Sequence, residues 1–193
     1  MTVAGTPHLR RPDASHVRQQ WDTVVDNALH LDRAAAEQLV DALDDDLSGL
    51  YILFNQVRKH GWIAEGAEFE QVAAFLRDAA DRLAAVTDAL AVRVHALGGV
   101  PVCGPMGIRQ HAPLRIEAAH GYDVRSSLDR DLDGYATLVV QFREHVALAN
   151  RLGDAGTTKL LRRQLRTLEA DADALAKLLA NDTLVDADAP DVD

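Results

Sequence analysis

Four long stretches of the chain carry apolar side chains at steps of three and four, the spacing that gathers them on one face of an α-helix. The first, Arg33 to His60, presents Leu39, Val40, Leu43, Leu47, Leu50, Tyr51, Phe54 and Val57, with Asp32 placed to cap its start. The second, Glu68 to Leu97, runs through Phe69, Val72, Phe75, Leu76, Ala79, Leu83, Val86, Leu90, Val94 and Leu97, then stops at Gly98-Gly99 with Pro101 beyond. At about 1.5 Å per residue it is roughly 45 Å long, so it needs partners of similar length. A third stretch, Val124 to Leu152, is closed by Gly153, and a fourth follows from Ala155 to Ala180. Between the second and third lies Gly98 to Tyr122, rich in Gly and Pro, which predicts a long crossover with one short helix. No alternating pattern predicts a strand.

Helix, short turn, helix, long crossover, helix, short turn, helix is the order of a ferritin-like four-helix bundle, an all-α fold. Pattern alone also fits cytokine-like bundles. We divide the chain into an N-terminal extension, 1–31, with a short helix and an amphipathic segment Ser15 to Leu31 around Trp21; a bundle, 32–181; and an acidic tail, 182–193. The whole chain of 193 residues suits one compact domain with tails.

Composition narrows the function. Lys and Arg number 20 against 30 Asp and Glu, a formal charge of -10, so a surface that wraps nucleic acid is disfavoured by repulsion from phosphate. The N-terminal Arg10, Arg11 and Arg18 are too few to change this, and DNA is not an expected partner. Asp outnumbers Glu and Arg outnumbers Lys, which reads as a solvated acidic surface from a halophilic or GC-rich source. No apolar run reaches the roughly 18 residues of a membrane span, and a cytoplasmic location is expected. The single cysteine, Cys103, excludes an internal disulfide, and with His95 or His111 it lacks a well-spaced third ligand for zinc. The only Glu-x-x-His run, Glu117 to His120, falls in the crossover, where a di-iron role is not expected.

The stretch Val57-Arg58-Lys59-His60-Gly61-Trp62-Ile63-Ala64-Glu65-Gly66-Ala67-Glu68-Phe69, followed by Asp88, Arg93 and Leu97-Gly98-Gly99-Val100-Pro101, resembles the Dps family of miniature ferritins, most of all its haloarchaeal branch. The similarity runs from about Asn27 to Leu184 and includes Gly153-Asp154. The resemblance implies a homo-oligomeric shell, a dodecamer in this family, that oxidises Fe(II) between subunits and stores iron. It also implies where ligands belong: a His before the Trp, a second His eleven residues after it, an acid one turn on, and from the partner subunit an Asp and a Glu. Those places hold Gly61, Ala73, Arg77, Asp88 and Val92.

Only Asp88 keeps a donor. An arginine 6 Å from a dication at an effective dielectric near 20 is repulsive by on the order of 5 kcal/mol before solvent discounts it. His60 and Asp78 are each one residue from a lost position and are candidate shifted ligands, but one step turns a side chain by about 100°. A solvent-facing His60 and a surface Asp78 are therefore expected instead. The family's three-fold iron pore would be lined from Asp154 onward, yet Lys159 and Arg163 stand where its two acids belong. Trp62 is expected to fill the subunit contact.

Three functions remain open: a structural or regulatory shell that has lost its ferroxidase centre and assembles alone or mixed with an active Dps paralogue; an active ferroxidase and iron store using shifted ligands; and a bundle recruited to bind a small molecule or protein.

Overall fold

The computed structural model describes residues 14–115 and 117–180. Four long helices, α1 (Arg33–Ile63), α2 (Phe69–Ala96), α4 (Val124–Arg151) and α5 (Ala155–Leu179), surround one apolar core, with the short α3 (Pro105–His111) in the crossover. Three of the starts are capped by an aspartate. The Asp32, Asp123 and Asp154 carboxylates accept from the backbone N–H of Ala35, Ser126 and Thr157, which satisfies one of the donors that a helix start leaves free. The end of α2 turns through Gly98 at φ +91°, where a side chain would be strained and its Cβ would fall 2.2 Å from the Val25 carbonyl oxygen.

α1 and α2 form one antiparallel pair, α4 and α5 the other, and α1 packs on α4 while α2 packs on α5. The α1–α4 register is legible in its contacts: His60 meets Asp131, Leu53 fills the space over Gly134, Leu138 fills the space over Gly49, and Asp46 meets Gln141 and His145. Rising numbers on one helix meet falling numbers on the other, so these two are antiparallel. Val124 thus begins beside His60 and Val72, at the end of the bundle where α2 also begins. The crossover has to run the length of the bundle to bring this about, and it leaves α2 and α4 parallel.

The amphipathic segment 15–31 is held to the bundle by specific bonds. Ala14–His16 forms a 3₁₀ turn. Val25 N–H donates to the Gly98 carbonyl oxygen, the Gln19 amide donates to the same oxygen, and the Asn27 side chain accepts from Leu29 and Leu31 to hold a turn. The acidic tail, 182–193, and the N-terminal Arg10 and Arg11 lie outside the described residues.

Candidate functional site

The end of the α1–α2 hairpin brings three of the five ligand positions together. A Cβ added at Gly61 would lie 3.4 Å from the Leu76 Cβ and 3.9 Å from the Ala73 carbonyl oxygen, so positions 61 and 73 are neighbours across the hairpin. Neither side chain has a donor. One turn along α2, Arg77 is exposed and makes no ion pair among the described residues, and Asp78 beside it is exposed as well. Asp88 and Val92 are also exposed, but Asp88 lies 15 residues beyond Ala73 on the same helix, about 22 Å along its axis. One chain cannot bring all five positions to one ion, so a site built from them needs two subunits. Trp62, 71% exposed, stands at the same end with the Arg58 guanidinium 4.8 Å from its ring.

His60 is not solvent-facing. It is 1% exposed, with Nδ1 2.9 Å from Asp131 Oδ1 and Nε2 3.0 Å from Glu117 Oε2. The helical turn that separates position 60 from 61 points it into the bundle rather than toward the hairpin surface. Burial alone pushes the imidazole toward its neutral form, but the bonds and charges of Asp131 and then Glu117 outweigh it and hold the pKa above the ordinary value. Burial likewise opposes ionisation of Glu117, and the Lys59 ammonium at 2.6 Å together with His60 overrides it, so this carboxyl sits below the usual range. Arg130 reaches the other Glu117 oxygen at 3.3 Å. Both ring nitrogens of His60 are engaged by carboxylates, so neither is free for a metal. Among the described residues no group of three or more His, Cys, Asp or Glu side chains is arranged to hold a metal ion.

At the start of α5, Asp154 is buried and turned inward. It accepts from Arg93 at 2.6 Å and 2.7 Å and from the Thr157 hydroxyl and N–H. Burial raises its carboxyl, yet the Thr157 and Arg93 bonds lower it further, so it stays ionised as the partner of Arg93 and the cap of α5. Its charge is neutralised within the subunit. Lys159 and Arg163 are exposed and unpaired among the described residues. His111 is engaged by Asp45 at 2.9 Å, Cys103 is exposed, and His120 stacks edge-on against Tyr122.

Reading the acids as a solvated surface missed the interior ones. Asp44, Asp46, Asp131 and Asp171 are all buried, and Asp46 Oδ2 and Asp131 Oδ2 have no hydrogen-bond partner. The sequence does contain a signal for three of them: Asp46, Asp131 and Asp171 occupy positions of the apolar stripes, beside Leu43 and Leu50, Leu128 and Tyr135, and Leu168 and Leu175.

A family model for the ferritin-like domain matches residues 40–185. The chain is 44% identical over 159 residues to the DNA protection during starvation protein of Halobacterium salinarum, covering 82% of this chain and 87% of that one. It is 29% identical over 166 residues to the nutrient stress-induced DNA-binding protein of a Synechococcus, covering 86% and 94%. Among solved structures, an archaeal Dps homologue from Halobacterium salinarum superposes with a TM-score of 0.85 at 42% identity, covering 89% of this chain and 96% of that one. DpsC from Streptomyces coelicolor also gives 0.85, at 27% identity, covering 88% and 99%.

Proposed function

Because the chain belongs to the Dps family of ferritin-like proteins, we propose that it builds a Dps-type homo-oligomeric shell in the cytoplasm, a dodecamer, whose own inter-subunit ferroxidase centre is lost. The observation that carries this reading is the donor count. Of Gly61, Ala73, Arg77, Asp88 and Val92 only Asp88 offers an oxygen, and the neighbouring imidazole of His60 is locked between two carboxylates. Fe(II), the substrate of such a centre, needs several oxygen and nitrogen donors with open positions for an oxidant. A single exposed carboxylate, with an arginine at another of the five positions, does not supply them.

Shell assembly is supported by the apolar side chains left exposed on the single subunit, Trp62 and Val92 among them at 71% and 72%. With no centre of its own, the shell is structural, or regulatory through mixing with an active Dps paralogue to which Asp88 would lend one ligand. Lys159 and Arg163, in place of pore acids, disfavour entry of cations by the three-fold route. DNA is not the partner of this surface.

Native mass spectrometry gives the assembly, with twelve copies expected. Anaerobic Fe(II) titration followed by peroxide addition tests the chemistry: no saturable step and peroxide consumption at the protein-free rate are expected. Saturation at about two Fe(II) per site with fast oxidation, abolished in Asp88→Ala, would establish a ferroxidase with shifted ligands instead. Purification from native cells that recovers this chain alone would remove mixed assembly.

A further inference from the structure

The first half of α5 is basic in a chain whose formal charge is -10. From Ala155 to Arg166 it carries Lys159, Arg162, Arg163 and Arg166 and no acid. Arg162, Arg163 and Arg166 line an open cleft of about 710 Å³ together with Arg82 of α2, Thr167 and Asp171. None of these three arginines, nor the Thr167 hydroxyl, has a hydrogen bond or ion pair among the described residues. Like charges at i,i+3 and i,i+4 repel, so this crowding is unfavourable without a counter-charge.

The carboxylate in the lining does not supply that charge. Asp171 is buried, with Oδ1 held by Arg82 Nε and Nη2 at 2.8 Å and 2.7 Å and Oδ2 accepting from Tyr135 at 3.2 Å. Its effect is to brace the Arg82 guanidinium against the cleft wall. An arginine has five N–H donors, so Arg82 keeps donors for a ligand after binding Asp171. Asp78, one turn before Arg82 on α2, is outside the lining. The cleft is therefore rich in N–H and O–H donors, and its one carboxylate is already engaged.

We propose that this cleft is a binding site for a compact, multiply charged phosphate anion, such as a short inorganic polyphosphate. Guanidinium forks match phosphate oxygens bidentately, and several around one cleft favour a ligand with several charges. A long nucleic-acid strand fits less well, because the basic stretch is short. It is followed on α5 by Glu169, Asp171 and Asp173, and preceded by Asp154. Arg162 and Arg166 are about 6 Å apart along the helix axis, which matches a few linked phosphates. The proposal does not depend on whether the ferroxidase centre is lost.

Isothermal titration of the assembled protein with tripolyphosphate at low ionic strength tests it. Saturable binding that weakens with added salt is expected, reduced about 100-fold in Arg162→Ala/Arg166→Ala. Arg109→Ala, on α3 away from the cleft, should bind as the parent does. Circular dichroism and particle mass should be unchanged in the double variant, since both side chains are exposed. Absence of saturable binding, or binding undiminished in the folded double variant, would overturn the assignment. So would a single-stranded oligonucleotide that displaces tripolyphosphate and binds more tightly through the same arginines, which would make the site one for nucleic acid.

Discussion

Asp44→Asn should make the protein more stable at pH 8 than the parent. Asp44 is buried on α1, and its Oδ1 accepts from the Val102 N–H at 3.0 Å, holding the first part of the crossover to the bundle. Burial pushes the carboxyl up from 3.8 to about 6, outweighing the Val102 bond and the nearby His111. The unfolded chain therefore ionises this group at lower pH than the folded one. Between those two values the native state binds the extra proton, so stability falls as pH rises through the window and the loss is complete above it. Two pKa units correspond to about 3 kcal/mol. Asparagine keeps an acceptor for Val102 and cannot ionise, which removes that penalty while leaving the contact. Urea unfolding at one fixed protein concentration, followed by circular dichroism from pH 4 to pH 8, gives the difference between the two proteins, and the titrations they share cancel. Near pH 4 the two should agree; at pH 8 the variant should lead by up to about 3 kcal/mol. A variant less stable than the parent at pH 8 would show that the charge at Asp44 strengthens the Val102 contact by more than burial costs.

Other outcomes follow from the same geometry. In NMR the His60 ring should titrate above the ordinary histidine value of about 6.5. Its contribution to stability is then full below that pH and fades as pH rises through the folded pKa; a ring already neutral at pH 6 would refute the bridged arrangement. Arg93→Met leaves the buried Asp154 carboxylate, the cap of α5, without its counter-charge and should cost about 3 kcal/mol in chemical unfolding, whereas Arg163→Met on the exposed face should be close to neutral. Gly98→Ala forces a Cβ against the Val25 carbonyl at a positive φ and should cost about 2 kcal/mol; a thermal midpoint equal to the parent's would show that the 15–31 segment does not need its bond to Gly98.

The helices were legible in the chain because their signals are local. The apolar period, the capping aspartates 32, 123 and 154, and Gly98 act within one turn of the residues they order, and the crossover is long enough to let α2 and α4 run parallel. The five positions 61, 73, 77, 88 and 92 came from the resemblance to the Dps family, counted from Trp62 along α1 and α2. What the period could not give is the partner of a polar side chain on an apolar stripe. Asp131 meets His60 and Gln56 across 71 and 75 residues, and Asp171 meets Arg82 across 89. Those distances in sequence are closed by helix packing, whose register depends on how Leu53 and Leu138 fill the space over Gly134 and Gly49. The 15–31 segment kept its amphipathic pattern, and its place was decided by bonds to the Gly98 carbonyl oxygen, where α2 ends. Sequence alone determined which residues are helical. The tertiary structure decided that His60 is turned inward, that the Asp154 charge is neutralised within the subunit, and that the α5 arginines share one cleft, since burial and Coulomb energy depend on distances that the linear order does not contain.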